Sequence, residues 1–385
     1  MRLLLGSLLT ASILLAQTND YRSQMEDFYH YKQQQYITFE QYKKELHQAF
    51  NQYKKELGAY WSDPKLSTKK EWVQYSKDKK TRSDVDFDKN KITIQTIAKT
   101  PQEAKKKLKK TLAKIVTIDT KNAFKSDPLE QRIAKIQKPK ELVDAQMDAK
   151  PILAPIFFQK PPTKKTVQHF VNTHITPKKI TKKRSTKIHG AFIYKVEVPL
   201  PKNATYKRSK FYENEVRTNA KRQKLPVDLI FAIMHTESCF NPKATSPIPA
   251  YGLMQIVPRT AGVDSYYYLY KVKKRPSRTY LYNAKNNVRL GSAYIHLLYY
   301  SYLRHIKDPL SRLYCAIAAY NTGAGNVAWA FTHRYNVKQA AKIINNLSPQ
   351  EVYNRLLRDL RYDEPKHYLR NVTKRMHIYH KIYGS

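Results

Sequence analysis

The spacing of apolar residues in this 385-residue chain changes near residue 202, and that change limits the folds open to it. Before this point, two runs of alternating apolar residues, at 85–97 and 191–198, have the period of two that is typical of strands. After it, apolar residues recur at helical spacing between short Gly, Pro and Asn turns. We therefore predict an α+β chain, with a small α/β domain over 17–202 and an all-α domain over 203–385.

Three further patterns divide the N-terminal half. Residues 18–60 are polar with scattered large apolar positions, and they predict a helix. Residues 101–118 predict a second helix, which begins at Pro101. Its apolar stripe consists of Leu108, Leu112 and Ile115. Residues 121–187 are rich in Lys and Pro and predict long irregular connections. The strand at 191–198 is expected to pair with the hairpin at 85–97 and to complete the small domain.

The first 16 residues have the pattern of a secretory signal peptide. Arg2 precedes an apolar stretch that is too short to cross a bilayer comfortably, and cleavage after Ala16 fits the small residues there. An uncleaved membrane anchor is the alternative. We expect an exported protein that acts in the periplasm. No cysteine lies near the cleavage point, so lipid attachment there is excluded, and association with the outer membrane is left open.

The chain is strongly basic, with 71 Lys and Arg against 30 Asp and Glu and a formal charge of +41. Such a field attracts polyanions. The charge is spread over clusters at Lys105 to Lys110, Lys178 to Arg184 and Lys271 to Arg278. We interpret the basic charge mainly as a composition bias shared across the proteome or across one compartment, and a specific basic docking face is the alternative. The signal peptide and the lack of a recognised nucleic-acid module argue against nucleic acid as a partner.

Glu237 is the residue whose surroundings point most clearly to chemistry. It ends an apolar segment that follows Pro226, and apolar neighbours would raise the pKa of its carboxyl group, as a proton donor in glycosidic bond cleavage requires. Glycosidases normally carry a second carboxylate, yet the next acidic residue is Asp264. A site with one acid must obtain its nucleophile elsewhere, and a sugar substrate can supply one.

Two glycine-containing runs follow, at 251–256 and 319–325, and both are rich in neutral hydrogen-bonding groups. Taken singly, Gly252 and Gly323 could be helix C-caps and Tyr320 could be a core residue. The order and spacing of the runs after Glu237 favour a site instead.

These segments resemble the signatures of the lytic murein transglycosylase family. The matching runs are Glu237-Ser-Cys-Phe-Asn-Pro242, Ala250-Tyr-Gly-Leu-Met-Gln255, Ala319-Tyr-Asn-Thr-Gly-Ala-Gly325 and Glu364-Pro-Lys-His-Tyr368. The resemblance covers roughly 205–380 and implies a lysozyme-like fold there. It also implies Glu237 as the acid/base. The implied substrate-binding residues are Ser246, Met254, Gln255, Tyr320, Asn321 and Tyr368.

The resemblance implies a peptidoglycan lytic transglycosylase that cleaves the MurNAc–GlcNAc bond and leaves a 1,6-anhydromuramyl end. Such an enzyme needs no metal and no cofactor; its partner is the glycan strand, and we expect a monomer. The segment 72–98 is similar to the N-terminal domain of a membrane-bound branch of the family, although the lipidation cysteine usual there is missing. The alternatives are a muramidase that uses water on the same fold and a non-catalytic protein that binds the wall or another polyanion.

The two cysteines, Cys239 and Cys315, leave one question open. In an exported protein they could form a disulfide. They could equally be two small buried apolar residues.

Overall fold

The computed structural model describes residues 40–246 and 249–384. The predicted signal peptide and the first half of the helix predicted over 18–60 lie outside these ranges. Within the described part, helix α1 occupies residues 40–58. No helix in the described ranges is long and apolar enough to cross a membrane.

The N-terminal half is built on an antiparallel five-stranded sheet with the order β1-β2-β3-β6-β5. In chain order the strands are β1 (Glu71–Tyr75), β2 (Thr81–Asp86), β3 (Lys91–Ala98), β4 (Leu142–Val143), β5 (Thr181–Arg184), β6 (Phe192–Pro199) and β7 (Arg275–Pro276). The predicted hairpin is β2 and β3, where Val85 faces Ile92. Strand β6 pairs with β3 as expected, with Val196 opposite Ile94. Both predictions are confirmed.

The sheet is covered by helices whose apolar stripes face it. The helices of this half are α1, α2 (Pro101–Thr117), α3 (Thr120–Lys125), α4 (Pro128–Ile133), α5 (Ala154–Phe157) and α6 (Lys164–His174). Helix α2 begins at Pro101 with Thr100 as its N-cap, as predicted. Its predicted stripe of Leu108, Leu112 and Ile115 is fully buried against the sheet.

The prediction of long irregular connections over 121–187 is confirmed for 134–153, which holds only the two-residue strand β4. It was wrong for the rest, because four helices lie in or at the edge of this segment. Its prolines mark helix starts: Pro128 is in the first turn of α4. Proline suits that position, since its missing N–H is not needed there. Helix α6 follows a pair of prolines directly and is capped by Thr163, whose side chain accepts from the backbone N–H of Thr166.

The C-terminal half, in the part that the structure describes, has β7 as its only strand, and its other elements are helices joined by loops. Its helices are α7 (Ala204–Phe211), α8 (Glu213–Gln223), α9 (Val227–Ser238), α10 (Val263–Tyr270), α11 (Arg278–Tyr282), α12 (Ala284–His296), α13 (Pro309–Thr322), α14 (Ala324–Thr332), α15 (Val337–Ile344), α16 (Pro349–Asp359) and α17 (Asp363–Tyr383). Helix α9 is the central element and packs along α17, where the rings of Phe231 and Tyr383 stack at 4.2 Å.

The two halves share an interface that contains buried charge. The Arg208 guanidinium group, 4% exposed, donates to the backbone oxygens of Cys239 and Phe87 and to the side chain of Asn90. It therefore ties the hairpin of the sheet to the end of α9. A buried arginine with its donors satisfied by oxygen atoms contributes to stability only while those acceptors stay in place.

A second buried contact centres on Glu130 at the other side of the interface. Its carboxylate lies 2.9 Å from the Arg278 guanidinium and 3.7 Å from the Lys243 ammonium, and all three side chains are almost fully buried. Beside them, β4 and β7 pair in parallel and join the halves through backbone hydrogen bonds. The halves are thus packed together, and their division into separate folding domains at 202/203 stays a prediction.

Candidate active site

Glu237 occupies the last turn of the central helix α9, which ends one residue later at Ser238. The next two residues, Cys239 and Phe240, both adopt left-handed backbone angles, with φ of 50° and 62°. The chain therefore turns sharply away from the helix and leaves Glu237 at its end, only 6% exposed.

Burial dominates the electrostatics of this carboxyl group. Desolvation raises the pKa of Glu237 to about 7, from an ordinary value of 4.5. The positive charge of Lys69 and the Tyr368 hydroxyl oppose this increase, whereas the carboxylate of Glu364 adds to it. Glu237 therefore exchanges its proton near neutral pH, which suits a group that acts first as an acid and then as a base.

Two tyrosines predicted for the site lie beside Glu237. The rings of Tyr320 and Tyr368 are parallel within 8°, with centroids 6.5 Å apart. Burial, followed by the Glu237 charge, raises the pKa of both hydroxyls well above the ordinary value, so both stay protonated. The Tyr368 hydroxyl is close enough to lower the pKa of Glu237. It makes no hydrogen bond of normal geometry to any described residue, so a buried donor is available at the carboxyl group.

The loop from Gly252 to Gln255 contacts one of these two tyrosines, Tyr320. The Tyr320 hydroxyl donates to the Met254 carbonyl at 2.9 Å, which fixes the loop to α13. Gly252 is not a helix C-cap: its φ is +76°, and a Cβ there would lie 2.3 Å from the Leu281 carbonyl oxygen. Gln255 has φ of 48°, and its side-chain nitrogen donates to the Gly252 carbonyl at 3.0 Å. Its side-chain oxygen is buried and has no partner among the described residues.

The remaining predicted residues are placed less directly. Met254 is completely buried, so its side chain supports the loop from beneath. Asn321 lies in the last turn of α13, half-buried, and Gly323 is the C-cap of that helix. Ser246 is half-buried and directly precedes the undescribed residues 247–248; its N–H donates to the Ala250 carbonyl. Direct contact of these residues with a substrate stays a prediction.

Sequence reasoning missed Asn287, which organises the loop. Its side-chain oxygen accepts from the Met254 N–H at 2.8 Å, and its amide donates to the carbonyls of Tyr251 and Leu281, each at 2.8 Å. Gly291, one turn later in α12, leaves room for the Met254 sulfur, which would lie 2.3 Å from an added Cβ. An asparagine within a polar helical run has no signal that distinguishes it from a surface residue.

Sequence reasoning also missed Lys69 and the role of Glu364. Lys69 belongs to the segment before β1, yet its ammonium group lies 3.5 Å from the carboxylate of Glu364 at the start of α17. The backbone carbonyl of Lys69 accepts from the buried Asn241 side chain, four residues after Glu237. One lysine among many basic residues has no local pattern that could identify it.

The cysteines are both buried and unpaired, so the disulfide alternative was wrong. The Cys239 thiol donates to the Asp88 carboxylate at 3.3 Å, and Cys315 lies in the core on α13. Burial raises the pKa of Cys239 to about 12, which keeps the thiol protonated. Each cysteine thus serves as a small buried side chain.

Comparison with known proteins identifies the family of this chain. Residues 214–343 match the family model for the transglycosylase SLT domain, and residues 39–210 match the model for the N-terminal domain of membrane-bound lytic murein transglycosylase C. Membrane-bound lytic murein transglycosylase C of Serratia proteamaculans is 36% identical over 81% of this chain and 83% of its own length. This chain belongs to the lytic murein transglycosylase C family.

A second relative from this family, in Cronobacter sakazakii, is 33% identical over 81% of this chain and 82% of its own length. Among solved structures, the lytic transglycosylase Slt of Pseudomonas aeruginosa matches with 26% identity and a TM-score of 0.35, and it covers 44% of this chain and 24% of that one. The family resemblance drawn from the four motifs is confirmed by the family models and the curated relatives.

Proposed function

We propose that this chain cleaves the MurNAc–GlcNAc β-1,4 bond of peptidoglycan by lytic transglycosylation, with Glu237 as its single acid/base. The observation that carries the proposal is a buried carboxyl group with a pKa of about 7 at the end of α9. A buried donor, Tyr368, and the constrained loop at Gln255 lie around it. Membership of the family supplies the substrate class.

In the first step, the protonated Glu237 donates its proton to the glycosidic oxygen, and the bond from that oxygen to C1 of MurNAc breaks. The GlcNAc residue leaves with a hydroxyl group, and positive charge develops at C1. A carboxyl group with a pKa of about 7 holds a substantial protonated fraction at neutral pH.

In the second step, the carboxylate of Glu237 removes the proton from the C6 hydroxyl of the same MurNAc. The C6 oxygen forms a bond to C1, and a 1,6-anhydromuramyl end results. No water is consumed and Glu237 regains its proton. Both reacting atoms belong to one sugar, so the step avoids the entropy cost of bringing in a second molecule.

We assign supporting roles to the neutral groups around the carboxyl. Tyr368 donates a hydrogen bond to the carboxylate form or to the sugar, since its own pKa keeps it protonated. The unpaired oxygen of Gln255 is an acceptor for a sugar hydroxyl or amide. Ser246, which precedes the loop, and Asn321, in the last turn of α13, orient the MurNAc residue.

Hydrolysis is the second candidate, and Glu364 is the observation that favours it. The structure brings this carboxylate close enough to raise the pKa of Glu237, and two carboxylates are what a muramidase that activates water would use. Against hydrolysis, the Glu364 side chain is 72% exposed and pairs with Lys69.

Mass spectrometry of muropeptides from digested sacculi separates the two reactions: we expect anhydromuramyl ends, and reducing ends would support hydrolysis.

A non-catalytic binder of the wall or of another polyanion is the third candidate, motivated by the charge of +41. It predicts binding to sacculi without any soluble product. Release of muropeptides by the wild-type protein, and none by Glu237→Gln, would exclude it.

We also propose where the protein acts. The relatives carry the description membrane-bound, and the N-terminal segment of this chain has a signal-peptide pattern without a lipidation cysteine. We infer export to the periplasm, cleavage after Ala16 and association with the wall through charge, with a monomer as the working unit. Fractionation of cells, with and without a high-salt wash, tests this: we expect the salt to release the protein from the envelope fraction.

A further inference from the structure

We propose that Lys69, a residue of the N-terminal half, is a positioning residue of the catalytic centre: together with Glu364 it forms an ion pair across the two halves that sets the electrostatic environment of Glu237. This inference rests on the proposed acid/base role of Glu237. It gives the N-terminal half an electrostatic part in the chemistry, exerted through Glu237.

The first support is geometric. The segment that carries Lys69 is fixed to the loop after Glu237 by two hydrogen bonds. The Asn241 side chain donates to the Lys69 carbonyl at 3.3 Å, and the Thr245 N–H donates to the Thr68 carbonyl at 3.2 Å. Asn241 is completely buried. The conformation of this segment is therefore set by the loop that leaves the catalytic helix.

The second support is the ion pair itself. The Lys69 ammonium group lies 3.5 Å from the carboxylate of Glu364, and the two side chains are 39% and 72% exposed. Glu364 begins the helix that also carries Tyr368. At this exposure the pair contributes little to stability, so a stabilising role does not account for it. Both charges of the pair act on the buried carboxyl group of Glu237, which gives the pair an electrostatic role.

The third support is that the two charges act on Glu237 in opposite directions. Apart from burial, Lys69 is the strongest influence on the pKa of Glu237 and lowers it, whereas Glu364 raises it. Burial favours the protonated form of the carboxyl group, which suits its role as an acid. Lys69 opposes burial and favours the carboxylate form that the second step needs.

The other titratable groups around Glu237 do not supply this balance. They are His235 on α9, Tyr320 on α13, and Tyr368 and Arg375 on α17. Burial lowers the pKa of His235 to about 3, so that ring is neutral. Both tyrosines stay protonated and neutral. Arg375 donates to Thr236 at 2.8 Å, and it is not among the charges that act on Glu237.

The test compares charge-removing variants by the pH dependence of kcat/KM on soluble glycan strands. The alkaline limb reports the loss of the proton from Glu237 in the free enzyme. In Lys69→Met we expect this limb to move to higher pH, because the carboxylate loses a favourable charge. In Glu364→Gln we expect it to move to lower pH. Each shift should be smaller than the roughly 1–3 units that a directly paired charge produces.

Two controls accompany these variants. Lys69→Arg keeps the charge and should restore the wild-type profile. Lys70→Met removes the same charge one residue away, where Lys70 pairs with Asp88 at 3.2 Å, and should leave the profile unchanged. A purely structural role for Lys69 would lower activity or the melting temperature. It would not move the alkaline limb in opposite directions in Lys69→Met and Glu364→Gln.

A readout independent of turnover keeps this inference separate from the proposed function. Carbon-13 NMR titration of the Glu237 carboxyl group should show the same two opposite shifts, even in a protein with no measurable activity. Unchanged titration in both variants, or shifts in the same direction, would overturn the role of Lys69. A wild-type protein that releases no anhydromuropeptide, but shows the opposite shifts, would instead overturn the proposed function.

Discussion

At the scale of single residues, Glu237 carries the proposed chemistry. Glu237→Gln keeps the size and hydrogen bonding of the side chain but cannot donate a proton. We expect a folded protein that has lost at least about a hundredfold in turnover on sacculi. Asp264→Asn is the matched control, because it removes the first carboxylate after Glu237 in the sequence, and it should keep wild-type turnover. Near-normal activity of a folded Glu237→Gln protein would exclude Glu237 as the acid.

The same residue should make stability depend on pH. The unfolded chain releases this proton near pH 4.5 and the folded chain near 7, so the folded state loses stability as pH rises through that window. At pH above both values the penalty is of the order of 3 kcal/mol. We therefore expect Glu237→Gln to be more stable than wild type at pH 8 and to lose that advantage at pH 4. Urea unfolding at the two pH values measures the difference. Equal pH dependence in the two proteins would mean that the pKa of Glu237 is not raised.

At the scale of elements, local patterns predicted the helices and strands well, and contacts between distant segments remained hidden. Helix α9 has the bounds expected from Pro226 and its apolar run, and α2 begins at the predicted proline. Helix α6 was missed because its flanking prolines also suit a loop. The acid could be predicted because its signal is local. Lys69 could not, because its role depends on a contact with Glu364, 295 residues away.

The loop that faces Glu237 should depend on Asn287 in α12. Replacement by alanine removes one acceptor and two donors, so the Met254 N–H and the Leu281 carbonyl lose the hydrogen bonds that Asn287 makes to them. The Tyr251 carbonyl loses one of its two donors and keeps the Ile256 N–H. Each unsatisfied group costs about 1–3 kcal/mol, so we expect a large fall in the free energy of unfolding. Asn286→Ala, one residue earlier on the same helix, is the control and should change it little. Equal effects of the two variants, measured by thermal and urea unfolding, would contradict the organising role of Asn287.

At the scale of the whole molecule, the interface changes what we expect of the isolated C-terminal half. The motifs all follow Pro226, so the sequence alone predicts that a fragment from about residue 203 folds and cleaves glycan by itself. In the structure, Arg278 and Lys243 are buried against Glu130 from the N-terminal half, and Arg208 donates to Phe87 and Asn90 there. We now expect the fragment to be markedly less stable than the full chain, by calorimetry. If the fragment is folded, the alkaline limb of its kcat/KM profile should lie at a higher pH than that of the full chain, because Lys69 is missing. A fragment as stable as the full chain would show that the interface contributes little.

The net charge should act on retention at the wall and not on turnover. Strand β5 is exposed along its whole length and carries Lys182, Lys183 and Arg184. Replacing these three with Gln should weaken binding to sacculi and its salt dependence while turnover on short soluble strands stays unchanged. The control replaces Lys105, Lys106 and Lys110 on the outer face of α2. If both triple variants weaken binding equally, the charge acts diffusely and β5 is not a docking face.

The most direct test of the central claim is to digest sacculi in heavy-oxygen water and to weigh the released muropeptides. Lytic transglycosylation takes its nucleophile from the C6 hydroxyl of MurNAc, so we predict anhydromuramyl ends without incorporated label. The Glu237→Gln protein, digested in parallel, should release none. Muropeptides with reducing ends that carry one heavy oxygen would show that water attacks C1, and would contradict the account.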